Sequence, residues 1–217
     1  MLSNFKDDLV NVKNEVKETG IGLVKANELL LEGIKDCNKE KFNEAKSYIK
    51  NVSKKSSDID NEAIRILALY NPEAKDLRQV VSYFKITNEL LRATTNTRSF
   101  IKGFMDVCND IDIKTVNEYA IPMQTSTIRA VNAAISMIDI ECEDEMKETY
   151  NEVLIEESKN DDLYEMVEKS LFKQADESDN FQKFHNMLKA LRKSEKVADR
   201  AISIAGLFLY SKVGGNI

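Results

Sequence analysis

Leu23, Ala26, Leu29, Leu30 and Ile34 fall at steps of one, three and four, and rows of the same kind recur along nearly the whole chain. That spacing puts apolar side chains on one side of an α-helix, so each row predicts an amphipathic helix with one buried stripe. The rows are long because little interrupts them. The 217 residues include 2 prolines and 7 glycines, while 42% are hydrophobic and 31% charged. Such a composition favours helix over sheet, and a helical chain of this length buries a substantial core. The expected fold class is all-α.

Polar breaks divide the pattern. A first helix is expected over about 3–35, ending at Asp36-Cys37-Asn38. A second, about 39–70, carries Phe42, Ala45, Ile49, Val52, Ile59, Ala63, Ile66 and Leu69, and stops before Asn71-Pro72 because proline disfavours helix in the residue before it. Asn71 is expected to N-cap a third helix over about 72–107, with Pro72 in its first turn and Glu73 and Asp76 at its positive end. The next break, Asp110 to Asp112, is taken as a domain boundary, giving three-helix bundles over 1–109 and 110–217. Three more helices follow, at about 113–141, 145–174 and 179–212; Pro122 kinks the first or marks its true start, and Ser178 or Asp176 caps the last. Sliding the second half back by 104 residues sets Leu188 on Phe84, Lys189 on Lys85, Lys196 on Arg92 and Ala205 on Ile101, a weak match in keeping with a duplicated three-helix unit.

Several functions are disfavoured. A net charge of −6 and a pI near 5.1 repel a phosphate backbone, so nucleic acid is a poor partner. Cys37, Cys108 and Cys142 have no metal-like spacing, and so sparse a set suggests reduced thiols in the cytoplasm. The N-terminus lacks the apolar segment of a signal peptide, and the run Ala205 to Tyr210 is too short to span a bilayer. The single His185 cannot supply the paired Glu-x-x-His sets of a di-iron bundle or the several histidines of a zinc hydrolase, and is expected to be structural or solvent-facing. No Gly-rich phosphate loop is present. The chain is expected not to be an enzyme.

Two rows stand apart. Leu154, Glu157, Asp161, Tyr164 and Leu171 share one helix face, as do Leu188, Leu191, Glu195, Asp199 and Ile202. In each, an acidic pair at i and i+4 interrupts an apolar row. Carboxylates facing a core are costly unless paired or bound to metal, and two at i, i+4 repel each other. If the fifth and sixth helices pack antiparallel, Glu157, Asp161, Glu195 and Asp199 converge. An all-oxygen set suits Mg²⁺, Mn²⁺, Ca²⁺ or iron. The alternative is that the acids point to water or meet lysines such as Lys159 and Lys196.

The stretch Ala68 to Arg78, with Asn71-Pro72 followed by Asp76-Leu77-Arg78, resembles the PhoU signature, as does Lys85-Ile86-Thr87-Asn88-Glu89-Leu90. Ser194-Glu195-Lys196-Val197-Ala198-Asp199-Arg200-Ala201 is similar to that family's Leu-Glu-Arg-Ile-Gly-Asp-His-Ala motif, and Glu157 to Asp161 resembles its partner motif. The resemblance spans nearly the whole chain. It implies two pseudo-symmetric three-helix bundles bearing clusters of iron, zinc or other divalent ions, with Fe, Zn, Mn and Mg all open here. It also implies a homodimer that acts as a negative regulator of phosphate uptake, between the ATPase subunit of a phosphate ABC transporter and a sensor histidine kinase. The first half departs from the pattern: Leu91 and Thr95 replace the acids, and the partner positions hold Ile49 and Ser53, or Ser53 and Ser57, depending on register. The metal is therefore expected in the second bundle alone. An accessory protein of a low-affinity phosphate permease and a metal-dependent phosphoester hydrolase remain as alternatives. No phosphate pocket is recognisable, so phosphate status is expected to arrive through a partner.

Overall fold

The computed structural model describes residues 2–109, 111, 113–176 and 181–214, and all regular structure among them is helical. The first half holds α1 (Leu2–Asp36), α2 (Lys39–Tyr48), α3 (Val52–Tyr70) and α4 (Ala74–Val107). The second holds α5 (Ile113–Thr115), α6 (Ile121–Ser136), α7 (Glu143–Asp176) and α8 (Phe181–Val213). No helix among the described residues is long and apolar enough to cross a membrane.

Two local expectations are corrected. The second helix is interrupted: between α2 and α3 the carbonyls of Ile49 and Lys50 leave the helical ladder and accept from the Arg98 guanidinium on α4. A neighbouring helix thus satisfies the break, which the sequence around Asn51 does not announce. Asn71 is not an N-cap. It takes a left-handed conformation (φ 45°, ψ 57°) and closes α3, a role asparagine tolerates, while α4 starts behind Glu73 with no side-chain cap. Pro122 lies in the first turn of α6, directly after a π-helical turn (Val116–Ala120) in which the Ile121 N–H reaches the Val116 carbonyl. That wider turn leads into the residue that has no N–H to give. Asp110, Asp112 and Ser178 lie outside the described residues; Asp176 ends α7.

Within the first half α1 packs on α2, α3 and α4; within the second α6, α7 and α8 pack on one another. The halves meet along α4 and α8, and along α1 and α6. α4 and α8 run antiparallel: Glu89 meets Arg200 at 3.0 Å, Gly103 faces Ala190, and Arg78 faces Gly214. A Cβ on Gly103 would stand 3.3 Å from that of Ala190, so the two backbones approach closely there.

The core is divided by level along the helices. One large cluster unites Val16, Leu23, Ile66 and Ile86 with Val131, Val153, Ile204 and Phe208; the other unites Leu30, Ile34, Phe42 and Phe104 with Met123, Val167, Leu171 and Leu191. Each draws on both halves of the chain. Between them runs a buried polar layer. Asn160 Nδ2 donates to Thr127 Oγ1 and to the Met123 carbonyl, both at 2.7 Å. Thr127 Oγ1 is 2.9 Å from Ser194 Oγ, which donates to Gln124 Oε1 at 3.1 Å. Gln124 Nε2 donates to Asn27 Oδ1 at 3.0 Å, and Asn27 Nδ2 approaches Thr97 Oγ1 at 3.4 Å. This chain ties α1, α4, α6, α7 and α8 at one height. A one-turn slip of any member would strand buried polar groups, so the layer fixes register.

The expectation of reduced thiols is overturned for two of the three cysteines. Cys37, just past α1, and Cys108, capping α4, form a disulfide with Cα atoms 5.7 Å apart; Cys142 is free and exposed. The 71-residue separation conceals what the fold brings about, because the two helices end together.

Candidate metal centre

α7 and α8 pack face to face, and the acidic pairs lie at the height of the polar layer. Asn160 sits between Glu157 and Asp161, and Ser194 directly precedes Glu195. Because Asn160 and Ser194 both meet Thr127, α7 and α8 are held in register where their acids oppose each other.

The structure brings three of the four candidate acids together. Glu157, Asp161 and Asp199 each offer a carboxylate oxygen, and these atoms lie within 4.8 Å of one another. Glu157 and Asp199 are half-buried and Asp161 exposed. Glu195 is only 6% exposed and lies beside this group. One of its oxygens is 3.0 Å from Arg192 Nη1, and the other, Oε2, is buried without a hydrogen-bond partner among the described residues. Arg192 in turn lies over the Tyr164 ring, 5.0 Å from its centroid.

The electrostatics are those of crowded carboxylates. Burial raises the Glu157 carboxyl above its ordinary value, and Asp161 and Asp199 raise it further. Burial and then Asp199 raise Asp161, against the pull of Arg192. Burial, with Asp199 next, pushes Glu195 up to about 7 although Arg192 and Lys196 oppose it. Of the two lysines expected near the cluster, Lys159 is engaged elsewhere, 2.6 Å from Glu156, which also accepts from Ser126. Glu157, Asp161 and Asp199 form no ion pair among the described residues.

A hard cation fits this donor set. Glu157, Asp161 and Asp199 would hold it, through oxygens from two helices. The orphan Oε2 of Glu195 is the buried atom that such a charge, directly or through water, would satisfy. The ion would supply a compact positive charge that relieves the repulsion and ties α7 to α8.

The corresponding face of the first half is apolar. Ala26, Ile49 and Val52 form a small buried cluster against which Leu91 packs. Thr95 and Ser57 spend their hydroxyls on carbonyls of their own helices, Leu91 and Ser53. His185, the lone histidine, is exposed and stacked on Phe181.

Sequence reasoning missed the polar layer and Arg192. A signal existed: Asn160 stands midway between Val153 and Val167 at heptad spacing, and Asn27 stands in the row of Leu23, Leu30 and Ile34, each an amide at an apolar position.

Comparison with known proteins gives the following. Residues 23–100 match the family model described as the PhoU domain. The crystal structure of PhoU from Pseudomonas aeruginosa is 20% identical, covering 99% of this chain and 98% of its own, with a TM-score of 0.75. The phosphate transport system regulatory protein PhoU from Streptococcus pneumoniae is 15% identical, covering 98% and 99%, with a TM-score of 0.83. A PhoU-like protein from Shewanella oneidensis MR-1 is 16% identical, covering 90% and 93%, at 0.65. At these identities the likeness is one of fold. No curated protein matches the sequence.

Proposed function

We propose that the chain is a PhoU-family protein and a cytoplasmic regulator of phosphate transport, acting by contact with partners and not by catalysis. The observation that carries this reading is the PhoU-domain match over 23–100, set in a fold like that of solved PhoU proteins along nearly its full length. In its finer form the proposal is an adaptor between the ATPase subunit of a phosphate ABC transporter and a sensor histidine kinase. The adaptor works as a homodimer and represses phosphate-starvation genes when phosphate is plentiful.

The acidic cluster has a place in this reading. A cation on Glu157, Asp161 and Asp199 would lock α7 to α8 and stiffen the face the second half presents. Such a centre is structural and electrostatic. Asp199 and the half-buried Glu157 need no role as acid or base.

The test is made in cells grown with ample phosphate. Tagged protein is expected to co-purify with the ATPase subunit or the kinase, and deletion of its gene to leave starvation genes on. Absence of both effects would overturn the regulatory reading.

A further inference from the structure

A second site lies on the seam between α4 and α8. Leu91, Arg92, Thr95 and Asn96 form one wall of a groove, and Lys196, Asp199 and Arg200 the other, enclosing about 480 Å³. That is within the range of roughly 300–1,000 Å³ found for small-ligand sites. The protein as a whole carries a net charge of −6, yet three cations gather here.

The charges on the two walls can be followed one by one. Glu89 binds Arg200 at 3.0 Å and lies 3.6 Å from Arg92, so one carboxylate serves two guanidinium groups. Arg92 keeps 66% of its side chain exposed, and Lys196 forms no ion pair among the described residues. Asp199 is the other carboxylate on the groove, and it also faces Glu157 and Asp161. Three cations against Glu89 and Asp199 leave one positive charge in excess. At the 104-residue offset, Leu91 and Thr95 stand where α8 has Glu195 and Asp199, so the α4 wall adds no further acid. Acids at those positions would reverse the sign of the groove. The same offset relates Arg92 to Lys196, and the antiparallel seam sets these two basic residues on opposite walls.

We propose that this α4–α8 groove binds an oxyanion of the phosphate class, gripped by Arg92 and the Asn96 amide from one wall and by Lys196 and Arg200 from the other. Guanidinium groups pair two donors with two oxygens of such an ion, and the ammonium adds a point charge. Asp199 links the groove to the acidic cluster: a cation drawing on its carboxylate would remove the main repulsion an incoming anion meets. The inference does not rest on that cation.

The test uses the full chain, stripped of metal by a chelator and dialysed, at fixed ionic strength. Calorimetric titration with inorganic phosphate, and separately with ATP, is compared between wild type, Arg92→Ala/Lys196→Ala, and a control, Lys147→Ala/Lys169→Ala, whose lysines pair with Glu143 and Glu165 on α7. Saturable binding of phosphate, weakened at least tenfold in the groove variant and unchanged in the control, supports a site for the free ion. The same pattern with ATP alone supports a site for a phosphoryl group on a larger molecule. No saturable binding of either, or equal binding by the groove variant, overturns the proposal. Arg92→Gln, which keeps an exposed polar side chain, serves as the second variant if the double one is not folded by circular dichroism. Because the protein is metal-free, failure here leaves the acidic cluster and the regulatory reading untouched, and their failure leaves the groove.

Discussion

Glu195 Oε1 lies 3.0 Å from Arg192 Nη1, three residues earlier on α8, while Oε2 of the same carboxylate is buried with no partner among the described residues. A half-paired carboxyl of this kind holds its proton, with a value pushed up to about 7 from an ordinary 4.5. The folded chain therefore binds this proton more tightly than the unfolded chain. Its contribution to stability is complete below about pH 4.5 and is lost as pH rises through about 7. Glu195→Gln removes the titration. In urea denaturation of metal-stripped protein, the stability of wild type relative to this variant is expected to fall between pH 4.5 and 8. The drop is bounded at about 3 kcal/mol. A difference that stays flat or rises across the window would contradict the assignment.

The acidic cluster makes its own prediction. Elemental analysis of wild-type protein is expected to find stoichiometric metal, lost in Glu195→Ala/Asp199→Ala. Adding Mn²⁺ to stripped wild type should raise its thermal midpoint, since an ion at a hundredfold its dissociation constant stabilises by about 2.7 kcal/mol. No metal in the wild type, with no shift on addition, removes the centre and leaves the fold assignment standing.

Asn160→Ala tests the polar layer. It strips Thr127 and the Met123 carbonyl of a shared donor at a buried position. A loss of about 1–3 kcal/mol is expected by chemical denaturation. It should be non-additive with Ser194→Ala, because both side chains meet Thr127. Additive losses would mean that the two residues act apart.

The disulfide between Cys37 and Cys108 closes a loop of 71 residues. A cross-link of that span restricts the unfolded chain by up to about 4 kcal/mol. Reduction, or Cys37→Ser, is expected to lower the denaturation midpoint. Without reductant, alkylation followed by mass spectrometry should label Cys142 alone. Labelling of all three cysteines would place the pair in the thiol form.

Much of this molecule can be read from periodicity. Helix identity follows from apolar rows thirty residues long, and the acids at 157, 161 and 199 were legible because each breaks such a row. What the sequence hid lies between segments. The stop at Ile49 depends on Arg98, the Cys37–Cys108 bond on two helix ends meeting, and the groove on residues about a hundred positions apart. Asn71 shows the limit within a segment: the same residue type suits a helix start and a left-handed helix end, and only the path of the chain decides between them. Division into 1–109 and 110–217 follows chain order, whereas both large clusters of buried side chains mix residues from each side of that boundary.

The apolar patch of Ala26, Ile49 and Val52 beneath Leu91 gives the molecule an electrical polarity between its halves. Where α7 and α8 meet, Glu157, Asp161 and Asp199 crowd negative charge into a small space. The matching positions on α4, Leu91 and Thr95, carry none. Two halves of similar build thus offer opposite faces to solution, one suited to cations and one left open to anions.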